Sequence, residues 1–320
     1  MAARINRGIH SKLMTIASRP VGSLVIYAVA YGCSVAVLRG TPEFEAGEAL
    51  AVMLIFGLGL SVAAWLTTAQ AAPVQVDVRA PARELGVLCA YLVLFGFLYL
   101  GWGLSALKAT FPSEPMQSVV ILVSKLAATV LVPGWLFTRL GYTWRELLAL
   151  KTFGRRGRMA LLVVGVLLLA LQLTVGRGPQ ALAALEQPAW RVAALAPLAL
   201  LWLTFEAGLT EEFLFRALFQ ARAAAWLRSE TAGIVAMALV FALAHAPGYV
   251  LRGAHATEGM AQAPNWLTAA AYAIVVVSPV GVVFGVLWAR THNLWLVVAL
   301  HGWGDLVPNL ASFVRTWSGH

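Results

Sequence analysis

The sequence predicts an all-α fold, a polytopic membrane helix bundle with about eight to nine transmembrane helices. Of its 320 residues, 60% are hydrophobic and only 12% are charged, whereas soluble domains carry roughly 25% charged residues. Runs long enough to cross a hydrocarbon core of about 30 Å start near residue 21 and recur at 49–68, 85–107, 116–138, 159–175, 192–215, 232–250, 266–289 and 293–313. We therefore expect one integral membrane domain over residues 1–320.

Basic residues between the apolar runs predict how the chain is oriented in the membrane. The segment before the first run carries Arg4, Arg7, Lys12 and Arg19 without an acid, and most other Lys and Arg residues lie in alternate segments after it. Because basic residues favour the cytoplasmic side, we expect the N-terminus in the cytoplasm. The first run ends at Arg39 without a convincing cleavage site, so we expect a retained span rather than a signal peptide.

The net charge of +9 does not indicate nucleic-acid binding. A nucleic-acid-binding face gathers its Lys and Arg in one patch or helix, whereas here they lie between apolar runs, at the depth of the lipid headgroups. We therefore expect the lipid bilayer as a partner and no nucleic acid. A composition biased toward Ala, Leu and Arg is typical of a bacterial protein, which points to the inner (cytoplasmic) membrane.

Two adjacent glutamates interrupt the sixth apolar run. Glu211 and Glu212 lie in the stretch LTEEFLFRALFQ, and Arg216 follows them. A charged side chain at the centre of a membrane helix costs about 2.5 to 3.5 kcal/mol on insertion scales, so these acids need partners or a function. Glu212 and Arg216 are four apart and share a helix face, so they can neutralise each other and brace the helix. Glu211 points about 100° away and must face something else.

The next apolar run carries a histidine that can meet Glu211. Phe241 and His245 are four apart in FALAH, and Glu211 and His245 are equally distant from the charged turn at Arg228. If the two helices are antiparallel around that turn, both side chains lie about 25 Å from it. The sequence therefore predicts that Glu211 and His245 lie at the same depth.

The last apolar run adds a second histidine and an aspartate. His301 and Asp305 are four apart in HGWGD and share a helix face. His301 and Asp305 reach the same depth as Glu211 and His245 only if the segment 217–228 projects into the cytosol. The charges of Arg222 and Arg228 favour that projection. The three helices then place one Glu, two His and one Asp together.

This combination of residues suits peptide hydrolysis, which needs an activated water, a proton carrier and stabilisation of a tetrahedral intermediate. Glu211 is expected to take a proton from water that His245 holds. His301 and Asp305 are expected to orient the substrate carbonyl or to stabilise the oxyanion.

Two alternatives stay open for the same residues. Two His and one Glu form the ligand set of many hydrolytic zinc sites, so Glu211, His245 and His301 would hold zinc if a metal is bound. No cofactor is otherwise expected, and the chain has no HExxH motif that would decide the question. A proton-coupled transporter could also use membrane Glu and His residues, but such folds usually contain inverted repeats, and none is apparent in the sequence.

Two further charged residues lie in apolar runs. Glu206 precedes Glu211 by one and a half turns of a regular helix, and we expect it to make a structural hydrogen bond, with membership of the site as the alternative. Lys125 lies in the fourth run, and we expect it to pair with an acid or to extend toward the interface.

The three motifs resemble the signature of the CPBP (ABI) intramembrane proteases, which include the type II CAAX prenyl proteases. That family carries EExxxR, then FxxxH, then HxxxN or HxxxD, on successive membrane segments. In this chain the motifs occur in order at 211–216, 241–245 and 301–305. Two positions depart from the family pattern: Ala217 replaces the Gly that commonly follows the Arg, and Asp305 replaces the Asn of the eukaryotic prenyl proteases.

The resemblance covers residues 192–313 and implies a catalytic core there, while the helices in 1–191 have no assigned role. It implies an intramembrane endopeptidase, glutamate-type or metal-dependent, that hydrolyses a peptide bond near the C-terminus of a membrane-anchored protein, including a lipid-modified one. Bacterial relatives add two alternatives, namely C-terminal sorting of the myxosortase type and peptide maturation or immunity. The catalytic residues that it implies are Glu211, Glu212, Arg216, His245, His301 and Asp305.

Overall fold

A computed structural model describes residues 20–41, 44–68, 78–149, 153–252 and 263–318. Regular structure in these ranges is helical throughout, which confirms the all-α prediction. The basic N-terminal segment that carries Arg4, Arg7, Lys12 and Arg19 lies outside the described residues.

Ten helices of more than ten residues follow one another in the described part of the chain. They are α1 (Pro20–Leu38), α2 (Ala46–Thr67), α3 (Pro81–Thr110), α4 (Met116–Arg139), α5 (Arg155–Thr174), α6 (Ala189–Leu227), α7 (Glu230–Arg252), α8 (Trp266–Val276), α9 (Ser278–Thr291) and α10 (Leu294–Ser318). Two short helices, Trp144–Leu147 and Gly178–Ala183, lie in the connections after α4 and α5.

Local sequence signals explain several of the helix ends. The short helix after α4 begins with a capping box, in which the Thr143 hydroxyl accepts from the Glu146 amide and the Glu146 carboxylate accepts from the Thr143 amide. Asn265 caps α8 by accepting from the amides of Leu267 and Thr268. At the end of α6, Arg228 adopts a left-handed conformation, with φ of 53°, that stops the helix.

Seven helices, α1 to α7, are long and apolar enough to cross a membrane, and the bent pair α8 and α9 adds an eighth if it forms one span. The ninth run of the sequence corresponds to α10, a helix of 25 residues that is not among these candidates. Its hydropathy is lowered by the polar residues that it carries in mid-helix, among them His301, Asp305 and Asn309.

The outer faces of these helices are apolar. Large side chains such as Val21, Phe97, Trp102 and Leu162 are exposed. Helices that satisfy their own backbone hydrogen bonds and present such surfaces are suited to a bilayer. The chain is therefore an integral membrane protein.

The described helices divide into two compact units. The first unit contains α1, α7, α8 and α9, most of α2, the start of α3 and the end of α6 beyond Leu218. In this unit α1, α7 and α8 pack against one another. The Tyr27 hydroxyl lies 2.9 Å from the Ser278 hydroxyl in this core.

A buried ion pair in the first unit departs from the sequence prediction. The Arg222 guanidinium donates to the Glu84 carboxylate at 2.9 Å, and both side chains are 2% exposed. From the sequence, Arg222 is instead expected among the charges that favour a cytosolic projection of 217–228. Arg222 is buried because a carboxylate from the start of α3 compensates its charge, so it gives no support to that projection.

The second unit contains α4, α5, α10, the remainder of α3 and the part of α6 up to Leu218. In this unit α10 packs against α5 and α6, and α4 packs against α6. This unit carries both glutamates, Arg216, His301 and Asp305. The segment 192–313 with the three motifs is thus shared between the two units, because 219–290 belongs to the first.

Candidate active site

The glutamate pair lies in an irregular part of α6. Two stretches, Thr204–Leu209 and Phe213–Gln220, are widened into π-type turns, and the regular turn Thr210–Glu212 lies between them. Turns of this type occur frequently at functional sites because they change the direction in which side chains point. The π-type turns therefore determine the directions in which the acidic side chains of α6 point.

Two glycines allow α6 and α10 to approach closely near the glutamates. A Cβ atom on Gly208 would lie 2.6 Å from the Val298 carbonyl oxygen, and one on Gly302 would lie 2.7 Å from the Thr204 Cα. Real Cβ contacts are not this short, so only glycine permits these crossing distances. The backbones of the two helices meet one turn before Glu212 and one residue after His301.

Glu212 is buried between a guanidinium and an imidazole. Its Oε2 lies 3.2 Å from Arg216 Nε, and both side chains are 0% exposed. This is the ion pair that the i,i+4 spacing predicts. Its Oε1 accepts from His301 Nδ1 at 2.6 Å. Because a buried carboxylate needs compensating partners, the two contacts stabilise Glu212 in its charged form.

The contact with Glu212 fixes the orientation of the His301 ring. With Nδ1 donating to a carboxylate, the proton of the neutral ring lies on Nδ1 and Nε2 is the basic nitrogen. His301 Nε2 lies 3.8 Å from Glu211 Oε2 and 3.6 Å from Asp305 Oδ2. Unlike Glu212, the side chains of Glu211 and Asp305 are partly exposed, at 19% and 36%. The buried acid therefore orients the ring, and the accessible acids surround its basic nitrogen.

The structure adds two residues to this cluster. Lys125 on α4 donates to Glu206 Oε1 at 2.9 Å and lies 3.7 Å from Glu211 Oε1. The expectation that Lys125 pairs with an acid is confirmed. Glu206 was only the less favoured candidate for the site on sequence grounds, and Lys125 was not expected beside the glutamate pair, although a lysine in an apolar run was a signal for it.

A glutamine from α5 organises the turn of α10 that holds Asp305. The Gln172 Oε1 accepts from the Val307 amide at 3.0 Å, and its Nε2 donates to the Trp303 carbonyl at 3.2 Å. These two backbone groups are four residues apart, which is the spacing that a regular α-helix pairs internally. Pro308, which has no amide hydrogen, follows directly. Gln172 thus stabilises the turn of α10 around Asp305.

His245 lies on α7 in the first unit. Its Nδ1 donates to the Phe241 carbonyl at 2.7 Å, and its ring is edge-on to the Phe241 ring with centroids 4.8 Å apart. The FxxxH spacing places His245 one turn from the Phe241 carbonyl. Because Nδ1 donates to that carbonyl, the neutral ring carries its proton on Nδ1, and Nε2 is the basic nitrogen. The meeting of His245 with Glu211, which lies in the second unit, stays a prediction.

An apolar cavity of about 440 Å³ lies in the second unit. Its walls come from α4, α6 and α10 and consist of Leu122, Leu126, Leu195, Leu198, Leu201, Trp202, Phe205, Phe313 and Trp317. Leu126 follows Lys125 in the sequence and Phe205 precedes Glu206, whereas the lining of the cavity itself is entirely apolar.

A zinc site needs at least three ligand side chains that converge on one point. In the described ranges, no group of three or more His, Cys, Asp or Glu side chains is arranged to hold a metal ion. His301 Nδ1 contacts Glu212 at 2.6 Å, so Nε2 is the ring nitrogen that would bind a metal. The set Glu211, His245 and His301 stays a prediction, and no step below depends on a metal.

Comparisons with known proteins agree with the motif assignment. Residues 192–307 match the family model described as type II CAAX prenyl endopeptidase Rce1-like. A comparison with curated proteins and another with solved structures found no match. The matched segment contains all three motifs, and with them Glu211, Glu212 and Asp305, which the second unit gathers around His301. Over residues 192–307, the chain is therefore similar to the Rce1-like family of type II CAAX prenyl endopeptidases.

Proposed function

We propose that this protein is an intramembrane endopeptidase that hydrolyses a peptide bond near the C-terminus of a membrane-anchored protein, with Glu211 as the general base. The observation that carries this proposal is the convergence around His301. Its Nε2 lies within 3.8 Å of Glu211 and 3.6 Å of Asp305, while Glu212 holds Nδ1. A base and an orienting group within reach of one another form the arrangement that hydrolysis requires.

The reaction follows from the roles of these atoms. Glu211 takes a proton from water, and the resulting hydroxide attacks the carbonyl carbon of the substrate. His301 in its protonated form stabilises the oxyanion of the tetrahedral intermediate, and Asp305 in its neutral acid form donates a second hydrogen bond to it. The C–N bond then breaks, and Glu211 returns the proton to the leaving amine. His245 holds the water in this scheme.

The apolar cavity favours a substrate that carries a large apolar group. A volume of about 440 Å³ is within the range of sites that enclose a small-molecule-sized group. We propose that it takes an apolar part of the membrane-anchored substrate, either a lipid attached to the chain or side chains of a C-terminal apolar segment. Removal of a short C-terminal peptide and removal of a longer sorting segment are both compatible with this arrangement.

The proposal is tested by comparing protein C-termini in membranes of bacteria with and without the gene. We expect a set of membrane proteins with longer C-termini in the deletion strain, restored by the wild type but not by Glu211→Gln or His301→Ala. Glu186→Gln, which changes an exposed acid outside the site, is the matched control and should restore them.

The mass removed distinguishes release of a few residues from removal of a whole anchor. Identical C-termini in both strains, or full restoration by Glu211→Gln, would show that the proposal is wrong. Inhibition of the purified enzyme by a chelator, reversed by zinc, would support the metal-dependent form, and full activity in a verified metal-free preparation would contradict it.

A further inference from the structure

We infer that Lys125 is a positioning residue for the hydrolytic reaction, held in place by Glu206, and that it orients the carboxylate of Glu211. The inference rests on the proposed function, since it concerns the same reaction. Lys125 lies on α4, outside the matched segment 192–307, so neither the motifs nor the family comparison assign it a role.

The two oxygens of Glu211 face different partners. Oε1 lies 3.7 Å from Lys125 Nζ, and Oε2 lies 3.8 Å from His301 Nε2. The lysine and the imidazole therefore each lie near a different oxygen of the carboxylate. Because Oε1 faces the ammonium, Oε2 is the oxygen presented toward His301, where the proposed reaction takes place.

Glu206 fixes the lysine. The Lys125 ammonium donates to Glu206 Oε1 at 2.9 Å, which is a charge-assisted hydrogen bond of normal length. A lysine has four rotatable bonds in its side chain and does not hold one position without such a partner. Glu206 thus anchors the ammonium, and the ammonium acts on Glu211 at longer range.

The π-type turn of α6 explains how one lysine reaches both acids. Residues five apart point in different directions in a regular α-helix, which has 3.6 residues per turn. Glu206 lies in the widened stretch Thr204–Leu209, where the i→i+5 pattern brings such residues toward the same side. The irregular turn therefore places Glu206 and Glu211 together on the side that faces α4.

A purely structural ion pair would need only one acid. Lys125 and Glu206 neutralise each other, so a structural role accounts for their 2.9 Å contact. It does not account for the second approach of the ammonium to Glu211, which has His301 on its other side. The test must therefore separate catalysis from folding.

The experiment measures kcat and KM in proteoliposomes with a synthetic peptide that carries an S-farnesyl cysteine followed by three C-terminal residues. We expect Lys125→Met to lower kcat about tenfold or more, with KM changed less than about twofold, because orientation of the base acts on the chemical step. Lys125→Arg keeps the cation and should recover most of the activity. Lys108→Met, at an exposed lysine near the end of α3, is the matched control and should behave like the wild type.

A second variant keeps the inference testable if Lys125→Met folds poorly. The double variant Lys125→Met/Glu206→Gln also removes the carboxylate that would lose its cation, so it should recover the melting temperature but not kcat. A folded Lys125→Met variant, or a folded double variant, with wild-type kcat would overturn the inference. If Glu211→Gln is inactive in the same assay, the proposed function still holds. A wild-type protein that does not cleave the peptide would contradict the proposed function for lipid-modified substrates and the inference with it.

Discussion

Adjacent glutamates in this protein have different surroundings and therefore different properties. Glu212 is fully buried and contacts Arg216 and His301, whereas Glu211 is 19% exposed and lies between Lys125 and His301. A group that must meet water and substrate needs access, and a group that orients a ring needs rigidity. The two carboxylates are therefore suited to the roles of base and orienting residue.

The orienting role of Glu212 predicts the effect of removing its charge. Glu212→Gln should lower the cleavage rate about 100-fold or more, because the carboxylate that holds Nδ1–H and favours the protonated ring is lost. Cleavage of the farnesylated peptide by the purified variant measures this. Glu48→Gln, at an exposed acid near the start of α2, should retain wild-type activity, and a Glu212→Gln rate close to wild type would contradict the assignment.

At the level of single residues, the sequence predicted what depends on regular helix spacing. The contact between Glu212 and Arg216 follows from an i,i+4 separation and is observed. The approach of Lys125 and Glu206 to Glu211 was not predicted, because it depends on a π-type turn that the apolar pattern does not reveal. The sequence showed the charges but not the direction in which they point.

Among the elements, the crossing of α6 and α10 determines whether the site forms. Gly208 and Gly302 are the positions where the helices approach most closely near His301. Small residues allow membrane helices to pack at short distance, and the packing there does not depend on a hydrophobic driving force between helices. The motif HGWGD thus has a steric role as well as a chemical one.

This crossing predicts a difference between two glycines of the same motif. In Gly302→Ala the new methyl group would meet Thr204 at 2.5 to 2.7 Å, whereas in Gly304→Ala its nearest neighbour is a Leu168 methyl at 3.9 Å. Gly302→Ala should cost about 1 to 3 kcal/mol in unfolding free energy and most of the activity, since the helices must separate. Thermal unfolding in detergent and cleavage rates measure both effects. Equal behaviour of the two variants would contradict the role of the crossing.

Helix positions followed well from apolar runs, but two features of the elements did not. Arg222 lies in a stretch that sequence patterns assign to a cytosolic end, yet Glu84 from a distant helix compensates its charge in the interior. Gln172 bonds to the backbone of α10, which depends on tertiary packing alone. Both features arise from contacts between residues more than a hundred positions apart.

For the whole molecule, the distribution of basic residues predicts the orientation in the membrane. The N-terminus is expected in the cytoplasm, so green fluorescent protein fused before Met1 should fluoresce, whereas β-lactamase in the same place should give no resistance to ampicillin. Replacing Arg4, Arg7, Lys12 and Arg19 by Gln should weaken this preference. Ampicillin resistance from the unmodified arm would show that the orientation is wrong.

The bonding of Gln172 to the turn around Asp305 has a consequence for protein engineering. The segment 192–307 carries every recognisable motif, but the shape of its last turn and the cation beside its base are supplied from α5 and α4. Transplanting that segment into a foreign scaffold would transfer the motifs without Gln172 and Lys125, the two side chains that contact them from α5 and α4. A minimal functional version of this enzyme must therefore retain helices that no motif search would select.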